Sequence, residues 1–97
     1  MYVLVRKDLD QTYRCVQGAH AIVEYSLKGD LEAYKKWNNS YLIFLGIRNE
    51  SVLNLWAAKL AARKKIYVSF KEPDLNNQVT AIACIDTGEI FKHLNFA

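Results

Sequence analysis

The chain is poor in the residues that staple or anchor unusual architectures: its 97 residues include two cysteines, one proline and four glycines. Cys15 and Cys84 stand in apolar stretches, with no CxxC and no Cys/His ligand spacing around them. That argues against a zinc module or a disulfide framework and predicts a pair of small buried thiols in a reducing compartment. No run approaches the roughly 18 continuous apolar residues of a membrane span. Arg6 and Lys7 interrupt the only apolar start, which argues against a secretory signal, so the expected location is cytoplasmic and away from the membrane. Repeats, low-complexity tracts and linkers are absent. Neither sign of charge dominates, since 13 basic residues face 10 acidic ones for a net +3. So small an excess permits an acidic partner such as RNA without requiring one.

What is present is the mix of a folded globular protein, 52% hydrophobic and 24% charged, on a length that suits one domain over residues 1–97. "MYVLVR" at 1–6 is an apolar run rich in β-formers and reads as a strand buried on both faces. In "KDLDQT", Asp8, Asp10 and Thr12 can each cap a helix start, and the helix is expected from Tyr13 to Leu27. Gly29 is a plausible stop, and Asp30 caps a shorter helix to Trp37. "YLIFLGI" at 41–47 is a second strand. Asn49 or Ser51 caps a third helix, whose Leu53, Trp56, Ala57, Leu60 and Ala61 recur on one face. Strands "IYVSF" at 66–70 and "QVTAIACI" at 78–85 follow, separated by the loop "KEPDLNN", and "GEIFKHL" suggests a last helical turn. The order implies an α/β fold with three layers, a four-stranded mixed sheet carrying helices on both faces. Strands one, two and three can run parallel across helical crossovers. Strand four, reached by a short loop, is expected antiparallel to its neighbour. Ligands of such sheets gather at the carboxyl ends of the parallel strands, here the Lys7–Thr12 turn and the start of the first helix.

On that helix, at about 100° per residue, Val16, Ala19, Val23 and Leu27 fall together and are expected to be buried. Tyr13, Gln17, His20 and Glu24 form a narrow polar line beside them. A histidine in such a place is more often a boundary residue than a site, and periodicity alone claims none.

Three stretches change the reading. "RKDL" at 6–9, "VQGAHA" at 16–21 and "QVTAIA" at 78–83 together resemble the peptidyl-tRNA hydrolase family of the archaeal and eukaryotic type, in order and at compatible spacing over nearly the whole chain. The resemblance implies an esterase that cuts the bond joining a peptide or aminoacyl group to tRNA, acts in translation and uses no cofactor or metal. Two copies of the chain could pair as a homodimer. Arg6, Asp8, Gln17, His20 and Thr80 match the family positions. Tyr13 stands where the family has a lysine, and Arg14, the nearest cation, is turned about 100° away. The family's acidic loop is represented by Glu72 and Asp74.

Ester hydrolysis needs a water to lose a proton and a group to hold charge on the carbonyl oxygen. His20 is one candidate base, and Glu72 or Asp74 the other. Gln17 and Thr80 can donate hydrogen bonds to substrate or oxyanion. Arg6, Asp8, Tyr13, Arg14 and Lys7 are the candidate substrate-binding residues. Lys35, Lys36 and Lys71 could add phosphate contacts, and Tyr13 or Tyr25 could stack on the terminal adenine. The bland readings are a β-branched fit for Thr80, a helix cap for Asp8, an ion pair for Arg6 and turn composition for Glu72 and Asp74. The alternative function is a catalytically silent relative that binds tRNA or a protein partner.

Overall fold

A computed structural model describes residues 1–97. Its elements are β1 (Tyr2–Arg6), α1 (Gln11–Lys28), α2 (Leu31–Trp37), β2 (Ile43–Ile47), α3 (Glu50–Ala62), β3 (Tyr67–Glu72) and β4 (Gln78–Cys84). Short 3-10 turns occupy Pro73–Leu75 and Glu89–Phe91. The fold is α/β, with a four-stranded mixed sheet in the order β2-β1-β4-β3. β1 pairs with β2 in parallel, and β4 lies between β1 and β3, antiparallel to both. β2 and β3 thus run the same way without being neighbours, because β4 returns up the middle of the sheet.

The central position of β1 and β4 explains their apolar runs, Tyr2–Val5 and Ala81–Cys84. Val3, Val5, Ala81 and Ala83 join the core under α1 and α2, while Leu4, Ile82 and Cys84 join the core under α3. On α3, Leu53 and Leu60 are fully buried, Trp56 and Ala57 half-buried, and Ala61 exposed. Removing a leucine side chain this deep from water contributes roughly 2 kcal/mol. The outer edge of β2 is covered by residues 95–97, where Gly46 N donates to Asn95 O and Ala97 N to Phe44 O. This masks an edge that could otherwise pair with another chain.

Four expectations need correction. The first helix starts two residues early, at Gln11, because Asp10 caps it by accepting from Tyr13 N at 2.9 Å. β2 begins at Ile43 rather than Tyr41, since the Tyr41 carbonyl accepts from the Trp37 indole and the terminal ammonium of Met1 instead of joining the ladder. Cys15 is exposed, and only Cys84 is buried.

The fourth correction concerns α1. Val16, Val23 and Leu27 are 44%, 56% and 72% exposed, and Ala19 is exposed with them. The buried face is Gln17, Gly18, Ala21 and Tyr25. Small size decided the phase, not hydrophobicity. A Cβ on Gly18 would sit 2.3 Å from Phe44 Cε2, so the helix lies against that ring only because the position is glycine. Ala21 meets Ala81 and Ala83 in the same core, and close approach brings Gln17 onto β4.

Candidate active site

The carboxyl ends of β1, β2 and β3 and the start of β4 share one edge of the sheet, and α1 crosses it near its own beginning. There Thr80 Oγ1 donates to Gln17 Oε1, and Gln17 Nε2 donates to Glu72 Oε1 at 2.9 Å. Tyr13 donates its hydroxyl to the same carboxylate oxygen at 3.3 Å, and Asp74 N donates to Glu72 Oε2 at 3.3 Å. Gln17 and Thr80 are fully buried and Glu72 is 8% exposed. An ionised carboxylate only accepts, so the amide nitrogen of Gln17 must face Glu72 and its oxygen must face Thr80. No polar side-chain atom in the protein is buried without a partner.

Thr80 reaches this face through a β-bulge. Along β4, Ala81 pairs with Phe70 and Val79 with Lys71, so Thr80 is an extra residue with no partner on β3. Val79 packs into the core under α3 and Ala81 into the core under α1, and the bulge turns the Thr80 hydroxyl to the α1 side. The bulge breaks the ladder, and side chains replace it. Glu50 Oε2 accepts from Val79 N at 2.8 Å, and Arg6 Nη1 donates to Val79 O at 3.2 Å. The backbone groups freed by the extra residue are therefore satisfied from α3 and β1.

Arg6 is consequently occupied. It donates to both carboxylate oxygens of Asp8, at 3.0 and 2.7 Å, and to Gln78 Oε1 at 2.9 Å. Arg6 is 6% exposed, and its guanidinium holds Asp8 below the ordinary carboxylate range. Arg6 and Asp8 thus form a brace, with Arg6 buried and the Asp8 side chain still exposed at the surface. Asp8 does not cap α1. Arg14 is similarly committed, donating to Leu9 O at 2.7 Å and Lys7 O at 2.8 Å, where it ties down the turn before α1. Lys7 is exposed and makes no ion pair. Tyr25 is buried between α1 and α2 against Tyr34, so it cannot stack on a base.

Between the two acidic candidates the geometry separates cleanly. Glu72 is in the cluster; Asp74 is exposed and contributes only its backbone N–H. His20 lies on the rim, exposed, its ring stacked on Phe70 with centroids 4.6 Å apart and planes 9° from parallel. It makes no hydrogen bond to Gln17, Thr80 or Glu72, but its charge acts on Glu72. The Glu72 carboxyl is held below the ordinary carboxylate range chiefly by the Gln17 amide, against the opposing effect of burial, with help from Asp74 N–H, the Tyr13 hydroxyl and His20. Burial and then the Glu72 charge push the Tyr13 phenol up, so it stays protonated as a donor.

Sequence reasoning missed Phe70, Gln78 and Glu50. Phe70 carried a weak signal, an aromatic two positions before Glu72 on the same face of β3; the partners of the bulge carried none. None of the five principal cavities is lined by Gln17, Glu72 or Thr80, and with Gln17 and Thr80 fully buried the cluster meets solvent as a narrow ledge only at Tyr13, His20 and the 8%-exposed Glu72. A ligand that brings its own surface could dehydrate such a ledge; a small molecule would stay wet there. No group of three or more His, Cys, Asp or Glu side chains is gathered to hold a metal ion, and no helix is long and apolar enough to cross a membrane. Compared with known proteins, the chain matches no protein-family model and no curated protein.

Proposed function

We propose that the chain is a cytoplasmic esterase that hydrolyses the bond between a peptide or aminoacyl group and tRNA. The observation that carries this reading is the meeting, on one sheet face, of Gln17, Thr80, Glu72 and Tyr13 with His20 on their rim. The stretches 6–9, 16–21 and 78–83, which bear the family resemblance, supply Gln17, His20 and Thr80 of that meeting.

In this reading His20 takes the proton from an attacking water. The hydroxyl adds to the ester carbonyl. The Tyr13 phenol, standing where the family has a lysine, releases its long 3.3 Å bond to Glu72 and turns its one proton to the oxygen that gains charge. Collapse expels the ribose oxygen, which takes the proton back from His20, leaving a peptide carboxylate and free tRNA. Glu72 itself is a poor base, because every donor around it favours its ionised form.

The depressed, fully bonded carboxylate favours a second reading, a silent relative that binds the tRNA acceptor end and turns nothing over. Incubation with a labelled peptidyl-tRNA separates the two. The esterase reading expects release of free peptide, lost in His20→Ala and in Glu72→Gln and kept in Lys71→Ala. Tight binding with no release by the parent protein would overturn it in favour of the binder.

A further inference from the structure

On the sheet face opposite Glu72, α3 carries an open groove that the proposed reaction does not use. A cavity of about 500 Å³ at the carboxyl ends of β1 and β2 is lined by Lys7, Arg48, Val52 and Trp56, with Leu94 at its border. Val52 and Trp56 also wall a smaller hollow that Leu55 and Lys59 complete. Lys59 in turn lines a third cavity, of about 420 Å³, with Arg63, Lys65, Lys92 and His93. The three are joined end to end by shared walls along α3, whose 13 residues span about 20 Å at 1.5 Å each.

Charge is concentrated in the same place. Around the far end of α3, Lys59, Arg63, Lys64, Lys65 and Lys92 stand against Asp86 and Glu89, a surplus of three cations. That surplus equals the net charge of the whole chain, because the other eight cations are matched by eight carboxylates. Asp86 and Glu89 are engaged by Lys65 and Lys92, each at 2.7 Å. Lys7, Arg48, Lys59 and Arg63 have no carboxylate partner. Asp8, the one acid bordering the near cavity, is taken up by Arg6.

Trp56 sits midway, half-buried, tilted against Phe91 and covered by Lys59, whose Nζ lies 4.7 Å from the ring centroid. An exposed cation–π contact is weaker than a base stacked on the same indole, so Lys59 can yield the ring and move to a phosphate. We propose that the α3 face binds single-stranded nucleic acid. One base stacks on Trp56, and flanking phosphates meet Lys7 and Arg48 at one end and Lys59 and Arg63 at the other. An acidic peptide would use the cations and leave the central indole without a role, and a lipid surface, which could use both, is separated by its uptake on vesicles. A duplex keeps its bases stacked on one another and cannot offer one to the ring. The inference is independent of ester cleavage, which lies across the sheet.

The test is a titration of the full chain with a short oligouridylate, following tryptophan emission. Trp37 is buried and its indole N–H is bonded to Tyr41 O, so quenching reports on Trp56. We expect saturable quenching and a dissociation constant that rises steeply with salt. The log–log salt slope should become shallower by about 0.7 for each cation removed. Lys59→Glu with Arg63→Glu, both surface changes, should weaken binding at least about tenfold with the circular dichroism unchanged. Trp56→Leu should lower affinity about tenfold at an unaltered salt slope. Absent quenching, undiminished binding by the double variant, equal affinity for polyglutamate of matched charge, or uptake on phosphatidylserine vesicles without oligonucleotide binding would each overturn the proposal. His20→Ala and Glu72→Gln should bind the oligonucleotide like the parent. Lost binding with ester cleavage intact faults this inference alone, and the converse faults only the esterase reading.

Discussion

Thr80 admits a test in which two physical accounts predict opposite orders. If its hydroxyl matters, Thr80→Val keeps the shape and removes the one donor to Gln17 Oε1, an oxygen on a fully buried side chain. The lost bond costs about 1 kcal/mol net, and the stranded amide oxygen adds about 1–3 kcal/mol. A total of about 2–4 kcal/mol should lower the melting temperature of a domain this size by on the order of 10 °C or more. Thr80→Ser keeps the hydroxyl and removes one buried methyl, at about 1 kcal/mol. If instead Thr80 is only a β-branched fit to the strand, valine should be neutral and serine the damaging change. Thermal melts by circular dichroism, with urea midpoints at constant m-value, read both variants. Valine at least as stable as the parent, with serine less so, would refute the hydrogen-bonded network as the reason for a threonine at this position.

Glu72 has its folded pKa depressed, so its contribution to stability is present above the ordinary carboxylate value and lost as pH falls through the lower folded value. Melting temperature measured from neutral pH downward should therefore fall less steeply on the acid side in Glu72→Gln than in the parent. Arg6→Lys should destabilise the protein by about 1.5–3 kcal/mol, because one ammonium cannot replace a fork that bonds Asp8, Gln78 and Val79 at once; hydrogen exchange should speed up first in β4 around Thr80. A thiol reagent should add once to the folded chain, at exposed Cys15, and twice only in denaturant, since burial pushes the Cys84 thiol up to about 11; two native adducts counted by mass spectrometry would contradict the buried position.

The parts of the fold legible in the sequence were those governed by a strong local signal. Asp30 caps the helix it was expected to cap, accepting from Ala33 N, and of the two candidates Asn49 and Ser51 it is Asn49 that caps α3, accepting from Val52 N. The strand of residues 1–6 read as doubly buried because it is one of the two central ones, whereas the equally apolar run 41–47 lies at the sheet edge, where Tyr41 and Leu42 stay exposed. The face of α1 was not legible, because hydrophobic phase was the wrong guide where Gly18 and two alanines on β4 set the closest approach. Glu72 could not be chosen over Asp74 from sequence. They are two residues apart, and only the 3-10 turn beginning at Pro73 points one carboxylate inward and the other out. Nor does any residue in "QVTAIA" announce a bulge, whose partners Arg6 and Glu50 lie 73 and 29 residues away.

That bulge changes the meaning of the residues near the chain's start. Arg6 and Asp8 lie beside the cluster in sequence space and would pass for substrate contacts. Their bonds run instead to the irregular start of β4, and through Val79 they hold the backbone that carries Thr80. With regular pairing, Thr80 would alternate onto the α3 side with Ile82, and Gln17 would lose its only donor. Gln17 would then be free to turn its amide, and Glu72 would lose the main support of its ionised form. A chain of single contacts therefore runs from a guanidinium on the α3 side of the sheet to a carboxylate on the α1 side. The polar line of α1 acquires its geometry from the far side of the sheet, and a substitution at Arg6 should be felt at Glu72 without either residue touching the other.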